Sequence, residues 1–171
     1  MRGNTPWRPG SVREKAHRLP REAYRGEVAA SITICVDRRA PLFTDQAIVS
    51  EFAQMLRAAA ERWSCLVLVY CFMPDHLHLV LQGRGENADL WKMLVDYNQK
   101  TGYRLSLNLP RVSWQKDFHD HVIRRSEDLT AHIRYILDNP CRRALASEWQ
   151  DYPFQGAIGC ELGHVLEGIQ C

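Results

Sequence analysis

Two histidines, a tyrosine and an asparagine stand out in this chain for the chemistry that their spacing permits. In the segment YCFMPDHLHLVLQG, Tyr70 to Gly83, His76 and His78 are separated by one residue. On a β-strand they point to one face, while Leu77, Leu79 and Leu81 point to the other. The leucines would seat the strand on a core. The two imidazoles would then stand side by side, close enough to hold one divalent cation. The same pattern also describes two half-exposed histidines on a sheet, and a rival pair exists at His119 and His121, so spacing alone does not choose. Further along, Tyr135 and Asn139 lie one helical turn apart, off the apolar stripe of Leu129, Ile133, Ile136 and Leu137. His132 shares their side. A tyrosine, an amide oxygen and two imidazoles would converge if that helix lies against the sheet. Otherwise Tyr135 is a surface residue and Asn139 merely precedes a helix-ending proline.

The elements that must position these residues can be read from periodicity. Glu27 to Asp37 alternates Val28, Ala30, Ile32, Ile34 and Val36 with smaller or polar residues, the pattern of a half-buried strand. Thr44 and Asp45 cap a helix whose apolar residues Ile48, Phe52, Met55, Leu56 and Ala59 follow helical spacing. The continuously apolar run Cys65 to Phe72 predicts a central strand covered on both faces. Met73-Pro74-Asp75 turns the chain into the histidine strand, His76 to Gln82, which Gly83 and Gly85 close. Asp75 is read as ordinary turn chemistry. Leu90, Leu94, Tyr97, Thr101 and Leu105 mark a second helix, and one or two short strands are expected between Trp114 and Ile123. A third helix is predicted to start at a Ser126 cap, with Glu127 and Asp128 in its first turn. It is predicted to stop at Asn139-Pro140, because proline pushes its predecessor out of the helical region. The order strand, helix, strand, strand, helix, strand, helix predicts an α+β fold with a mainly antiparallel sheet. No internal repeat is visible.

Composition sets the outer bounds. A chain of 171 residues with 46% hydrophobic and 25% charged side chains suits one globular domain and excludes a largely disordered protein. The run Cys65 to Phe72 falls far short of the ~18 residues of a membrane helix, and no apolar stretch at the N-terminus resembles a signal peptide. Three of six cysteines sit in strand-like apolar runs and none forms a C-x-x-C pair, which points to free thiols in a reducing cytoplasm. The net charge of +2 conceals an asymmetry. Residues 1–27 carry seven basic and three acidic side chains, leaving fifteen basic against seventeen acidic for the rest. This segment, with Pro6, Pro9, Gly10, Pro20 and Gly26, reads as an extended basic arm suited to a phosphate backbone or to solvent. The domain proper is expected over residues 28–156, with a loop-like tail at 157–171.

The MPDHLH stretch, Trp114-Gln115 with FHDHVIRR, and the helix ending YILDNP followed by Arg142-Arg143 together resemble the single-tyrosine HUH transposases. Within this superfamily of small insertion-sequence transposases, the nearest likeness is to the REP-associated tyrosine transposases. The resemblance runs from about Ile32 to Phe154. It implies a ferredoxin-like or RRM-like antiparallel sheet flanked by helices. It implies that His76 and His78 are the metal-binding histidines, that Asn139 falls at the third ligand and that Tyr135 is the nucleophile. The cofactor would be Mg2+ or Mn2+, the latter better suited to imidazole donors.

The chemistry implied by this resemblance is transesterification. Tyr135 would attack a scissile phosphate in line, leaving a 5′-phosphotyrosine and a free 3′-hydroxyl that can later rejoin strands without ATP. The expected partner is single-stranded DNA beside an imperfect hairpin, bound by a monomer or a homodimer in the cytoplasm, in association with the nucleoid and with no membrane. Phosphate contacts are expected from Arg38, Arg39, Arg124, Arg125, Arg134, Arg142 and Arg143, and from Arg13 and Arg18 of the arm. Trp7, Tyr24 and Trp91 are candidates for base stacking, although Trp91 equally suits a core. Two alternatives remain open from the sequence. One is a metal-dependent phosphodiesterase with water as nucleophile; the other is a non-catalytic, domesticated hairpin-binding protein.

Overall fold

The alternating segment near the N-terminus forms strand β1, Ala29–Cys35, with Ala30, Ile32 and Ile34 buried. A computed structural model describes residues 19–124 and 128–168 of the chain. Helix α1, Gln46–Arg62, starts where the Asp45 carboxylate accepts the backbone N–H groups of Ala47 and Ile48 at 2.8 and 3.3 Å. This cap satisfies donors that the first helical turn leaves free. Strands β2, Cys65–Met73, and β3, His76–Gly83, form a hairpin through Pro74 and Asp75. Helix α2, Leu90–Asn108, buries the expected Leu90, Leu94, Tyr97, Thr101 and Leu105. Strand β4, His119–Ile123, follows, and Trp114 makes an isolated bridge with Val36.

The sheet is antiparallel throughout, in the order β4-β1-β3-β2 with a fifth strand beyond β2. This α+β arrangement is ferredoxin-like. Helices α1 and α2 cover one face. On that side Leu77, Leu79 and Leu81 are all fully buried, each worth roughly 1.5–3 kcal/mol of apolar burial. They hold β3 firmly in the sheet, so the histidines between them must face the opposite way. Gly83 ends the strand under a close contact, since a Cβ there would sit 1.9 Å from the Gly26 carbonyl oxygen.

The other face is covered in part by helix α3, Leu129–Leu137, which buries Ile133, Ile136 and Leu137 against β2 residues such as Val69, Cys71 and Met73. Its N-cap is Asp128, whose carboxylate accepts from the Ala131 amide at 3.1 Å. The expected cap Ser126, with Glu127, lies outside the described residues. Asn139-Pro140 does not turn the chain out of helical geometry as predicted. A second short helix, α4, Asn139–Arg142, begins there with the proline in its first turn. The missing proline N–H costs nothing at that position, so the residue pair starts a helix as readily as it ends one.

The C-terminal region is more ordered than a trailing loop. Strand β5, Gln155–Ile158, extends the sheet beside β2 and crosses the boundary expected at residue 157. Helix α5, Leu162–Leu166, then packs Val165 beside α3. At the other end, residues 21–24 form a 3-10 turn and Tyr24 is completely buried. That part of the basic arm is docked on the domain, and Tyr24 is core rather than a base-stacking platform. Trp91, only 5% exposed, is core as well. Cys35, Cys65, Cys71, Cys141 and Cys160 are free thiols.

Ala144 ends α4 with φ at 54°, in the left-handed region where a Cβ is strained. Its N–H bonds the Cys141 carbonyl at 2.9 Å and the Leu145 N–H bonds that of Pro140 at 2.9 Å, a helix-closing turn that suits glycine. Ala144→Gly is expected to stabilise the protein by about 1 kcal/mol, read as a melting temperature higher by roughly 2–4 °C. An unchanged or lower melting temperature would show that the alanine is not strained there.

Candidate metal and nucleophile site

The turn before the histidines is tied to the body of the domain. Pro74 has no N–H to donate, and its carbonyl accepts from Leu42 and Phe43 at 2.8 and 3.0 Å. The Asp75 carbonyl accepts from Val36 at 2.9 Å. These bonds hold Asp75 where its carboxylate meets the ring that follows. Asp75 Oδ1 lies 2.5 Å from His76 Nδ1, and its other oxygen pairs with Arg39 Nη1 at 3.4 Å. Asp75 is thus a turn residue, as read from sequence, but one whose side chain orients a histidine.

From there the contacts run across the sheet. His76 Nε2 lies 3.0 Å from His78 Nε2, with the rings nearly perpendicular at 88°. His78 Nδ1 lies 2.9 Å from the Thr33 hydroxyl on β1. Register explains the last contact, since Thr33 pairs with His78 across the β1–β3 ladder and Cys71 pairs with it from β2. Each imidazole therefore has its Nδ1 engaged by an oxygen, while both Nε2 atoms face one point. Metal-binding histidines are commonly held in this way. Asp75 sits on the Nδ1 side, away from that point.

The charge state suits ligation. Burial lowers the His76 pKa; Asp75 opposes the shift, while the charges of Arg39 and Arg143 add to it. Burial, with His76, Arg39 and Arg143, pushes His78 down to about 4. Asp75 is lowered too. Burial opposes its ionisation, but the hydrogen bond and charge of His76, with Arg39, prevail. At neutral pH the site is two neutral rings beside a carboxylate. Because the folded protein resists protonating His78, the unfolded chain binds that proton first as pH falls. Stability present above about pH 6.5 should be lost progressively towards about pH 4. Denaturant titrations across that window should show a shallower decline in His78→Gln, and an unchanged slope would rule out His78 as the source of the effect.

Tyr135 lies on α3 at 55% exposure, off the buried stripe as the spacing predicted. The Asn139 side-chain amide donates to the Tyr135 carbonyl at 2.9 Å, which leaves its Oδ1 without that duty. The guanidinium carbon of Arg142 sits 4.8 Å from the centre of the Tyr135 ring. Arg143 follows, and its charge is felt by both histidines. The turn from α3 into α4 therefore holds the tyrosine, the amide and an arginine acting on the paired rings. Among the described residues no third His, Cys, Asp or Glu joins the pair to complete a metal cluster.

The remaining predicted residues fall in several places. His119 and His121 lie on β4, paired with Thr33 and Ser31, and the His121 ring stacks on His132 of α3 at 5.7 Å. His119 therefore stands in the same cross-strand row as Thr33 and His78, one strand further out, while His121 is engaged with α3. Arg38 is highly exposed beside Asp37, whereas Arg39 is committed to Asp75. Arg38 and Arg39 both have positive φ, at 54° and 55°. Arg124 and Arg134 are exposed, the latter lining a cavity of about 360 Å³ with Leu137, Asp138, Trp149 and Leu166. Arg13, Arg18, Arg125 and Trp7 lie outside the described residues. Thr33 was missed by sequence reasoning. Its only signal was its place in the strand that pairs with the histidines.

The central strand of the antiparallel sheet thus carries the His-x-His pair, and α3, which bears the exposed Tyr135, packs on the sheet face that the pair occupies. The chain belongs to the IS200-like transposase family, described as "Transposase IS200 like", whose signature matches residues 26–139. A Haemophilus influenzae protein assigned as a REP-associated tyrosine transposase is 27% identical over 147 residues, covering 78% of this chain and 81% of that one. The REP-associated tyrosine transposase of Escherichia coli strain K12 is 26% identical over 85 residues, 48% of each chain. A solved REP-associated tyrosine transposase bound to a REP hairpin superposes with a TM-score of 0.68, at 19% identity over 84% of this chain and 82% of that one. At that identity the likeness is one of fold. Among the described residues no helix is long and apolar enough to cross a membrane.

Proposed function

We propose that this chain nicks and rejoins single-stranded DNA beside hairpins, forming a 5′-phosphotyrosine at Tyr135 with the help of a divalent cation, Mg2+ or Mn2+. The observation that carries the reading is the meeting of His76 and His78 at 3.0 Å through their Nε2 atoms, with both Nδ1 atoms already engaged. His76, His78 and the Asn139 oxygen would hold the cation, which when bound supplies polarisation of the scissile phosphate and neutralisation of its developing charge. Two neutral imidazoles favour Mn2+ over Mg2+ as the ion that works best in solution.

The other steps belong to the chain. Tyr135, exposed on α3, presents its hydroxyl to a phosphate brought to the surface of the sheet. Its oxygen gives up the phenolic proton to solvent and forms a bond to phosphorus as the bond to the 3′-oxygen breaks, and that oxygen takes up a proton from solvent and leaves as a hydroxyl. The energy of the phosphodiester stays in the phosphotyrosine, so a later 3′-hydroxyl can reverse the step. Arg143 and the exposed Arg38, Arg124 and Arg134 would supply positive charge to phosphates of the incoming strand. The similarity to a transposase solved with a REP hairpin supports the hairpin as the docking element.

The test is incubation of the protein with end-labelled single-stranded hairpin DNA and Mn2+, resolved on denaturing gels. A protein-sized label that survives denaturation, and vanishes on proteolysis, is expected. Binding of hairpins with neither nicking nor adduct over a broad hairpin library would favour a non-catalytic binding protein instead.

A further inference from the structure

Taken as hydrogen bonds of the metal-free protein, the contacts around His78 assign each proton in the pair, and the assignment does not match what a metal needs. An ionised carboxylate only accepts hydrogen bonds, so the 2.5 Å contact with Asp75 requires a proton on His76 Nδ1. Neutral His76 then offers a lone pair at Nε2. The 3.0 Å contact between the two Nε2 atoms is a hydrogen bond only if His78 carries its proton on Nε2. His78 Nδ1 is left as an acceptor, and the Thr33 hydroxyl, 2.9 Å away, must be its donor. His76 is therefore already in the tautomer that ligates through Nε2. His78 is in the opposite one.

We propose that Thr33 is the positioning residue that lets His78 change tautomer when the site takes up a divalent cation. The inference rests on the metal-site reading of His76 and His78. For both Nε2 atoms to act as ligands, the proton on His78 Nε2 must leave and one must arrive at Nδ1. The number of protons on the ring is unchanged. The new Nδ1–H needs an acceptor, and among the described residues the group bonded at that position is the Thr33 hydroxyl. A hydroxyl can donate or accept by rotating its hydrogen, which neither an amide N–H nor a carboxylate can do. Asp75 makes His76 permanently ready, and Thr33 makes His78 convertible. Without the cation the two rings hydrogen-bond each other and close the site. With it, the mutual bond is exchanged for two metal contacts.

The experiment uses full-length protein and two readouts. In metal-free protein, long-range 1H–15N spectra of the histidine rings should show His76 protonated at Nδ1 and His78 at Nε2. Adding Zn2+ as a diamagnetic probe should move the His78 proton to Nδ1. Mn2+ titrations followed by electron paramagnetic resonance should then show roughly 10–100-fold weaker binding in Thr33→Val, and near-normal binding in Thr33→Ser. Valine keeps the β-branched shape, and circular dichroism with thermal melting verifies that the variant is folded. His78 protonated at Nδ1 before metal is added, or Thr33→Val binding Mn2+ like the wild type, would overturn the proposal. If His76→Ala also binds Mn2+ like the wild type, the metal site itself is refuted. If only Thr33→Val is silent, the site stands and the tautomer role falls.

Discussion

Tyr135→Phe is expected to abolish the covalent protein–DNA adduct, with loss of strand cleavage on the order of 1,000-fold or more, while hairpin affinity stays within about twofold. The substitution is unusually clean. Tyr135 is 55% exposed and contributes nothing to the core formed by Ile133, Ile136 and Leu137. Phenylalanine keeps the ring that lies under Arg142 at 4.8 Å, so the cation–π contact and the local helix survive. Only the hydroxyl oxygen is removed. Loss of activity would therefore report the nucleophile and not a collapsed helix. The measurement is a denaturing gel for adduct, paired with a binding assay on the same hairpin. Undiminished cleavage without an adduct would mean that water attacks, and a metal-dependent phosphodiesterase would replace the tyrosine transposase as the function of this chain.

His76→Ala is expected to lower metal-dependent cleavage by at least about 100-fold and to leave hairpin binding intact. His76 is 5% exposed and bonded on both sides of its ring. Its removal leaves the Asp75 carboxylate with Arg39 alone and deprives His78 of its Nε2 partner. Leaving such groups unpaired costs roughly 1–3 kcal/mol of stability. Assays must therefore be run well below the variant's melting temperature. The diagnostic is the Mn2+ concentration dependence, because a site with one imidazole should need far more metal for whatever rate it retains. Wild-type cleavage at wild-type Mn2+ requirement would sink the assignment of His76 as a ligand, whatever happens to Tyr135.

Much of the architecture was legible because it is governed by local periodicity. The alternation of Leu77, Leu79 and Leu81 against the histidines placed those rings on the face away from α1 and α2, and the structure agrees. The same holds for Tyr135 against the buried stripe of α3. What escaped was non-local. Gln155–Ile158 is too short to show a pattern of its own and becomes a strand only by pairing with β2. Tyr24 resembled an exposed aromatic in a basic arm, yet it is buried, tilted against Trp91 at 5.7 Å. Asn139-Pro140 carried a stop signal, but the rule that proline ends helices competes with its preference for a first turn. Asp75 and Thr33 were hidden for a related reason. A turn aspartate and a strand threonine are ordinary in sequence, and only their neighbours give them work.

His76, His78, Tyr135 and Asn139 show where the division falls. Residue order was enough to establish that the two histidines share one face of a strand and that the tyrosine and asparagine share one side of a helix. Those relations follow from the geometry of a single strand and a single helix. Packing between elements was needed for the rest. It turned the histidine pair towards the α3 side of the sheet, beside buried Cys71 and Met73, and set Asp75 and Thr33 on its two Nδ1 atoms. It also brought up Arg39 and Arg143, which help keep both rings neutral. Pairing register and burial bring together groups as far apart in the chain as Thr33, His78 and Arg143, and no local pattern encodes such distances.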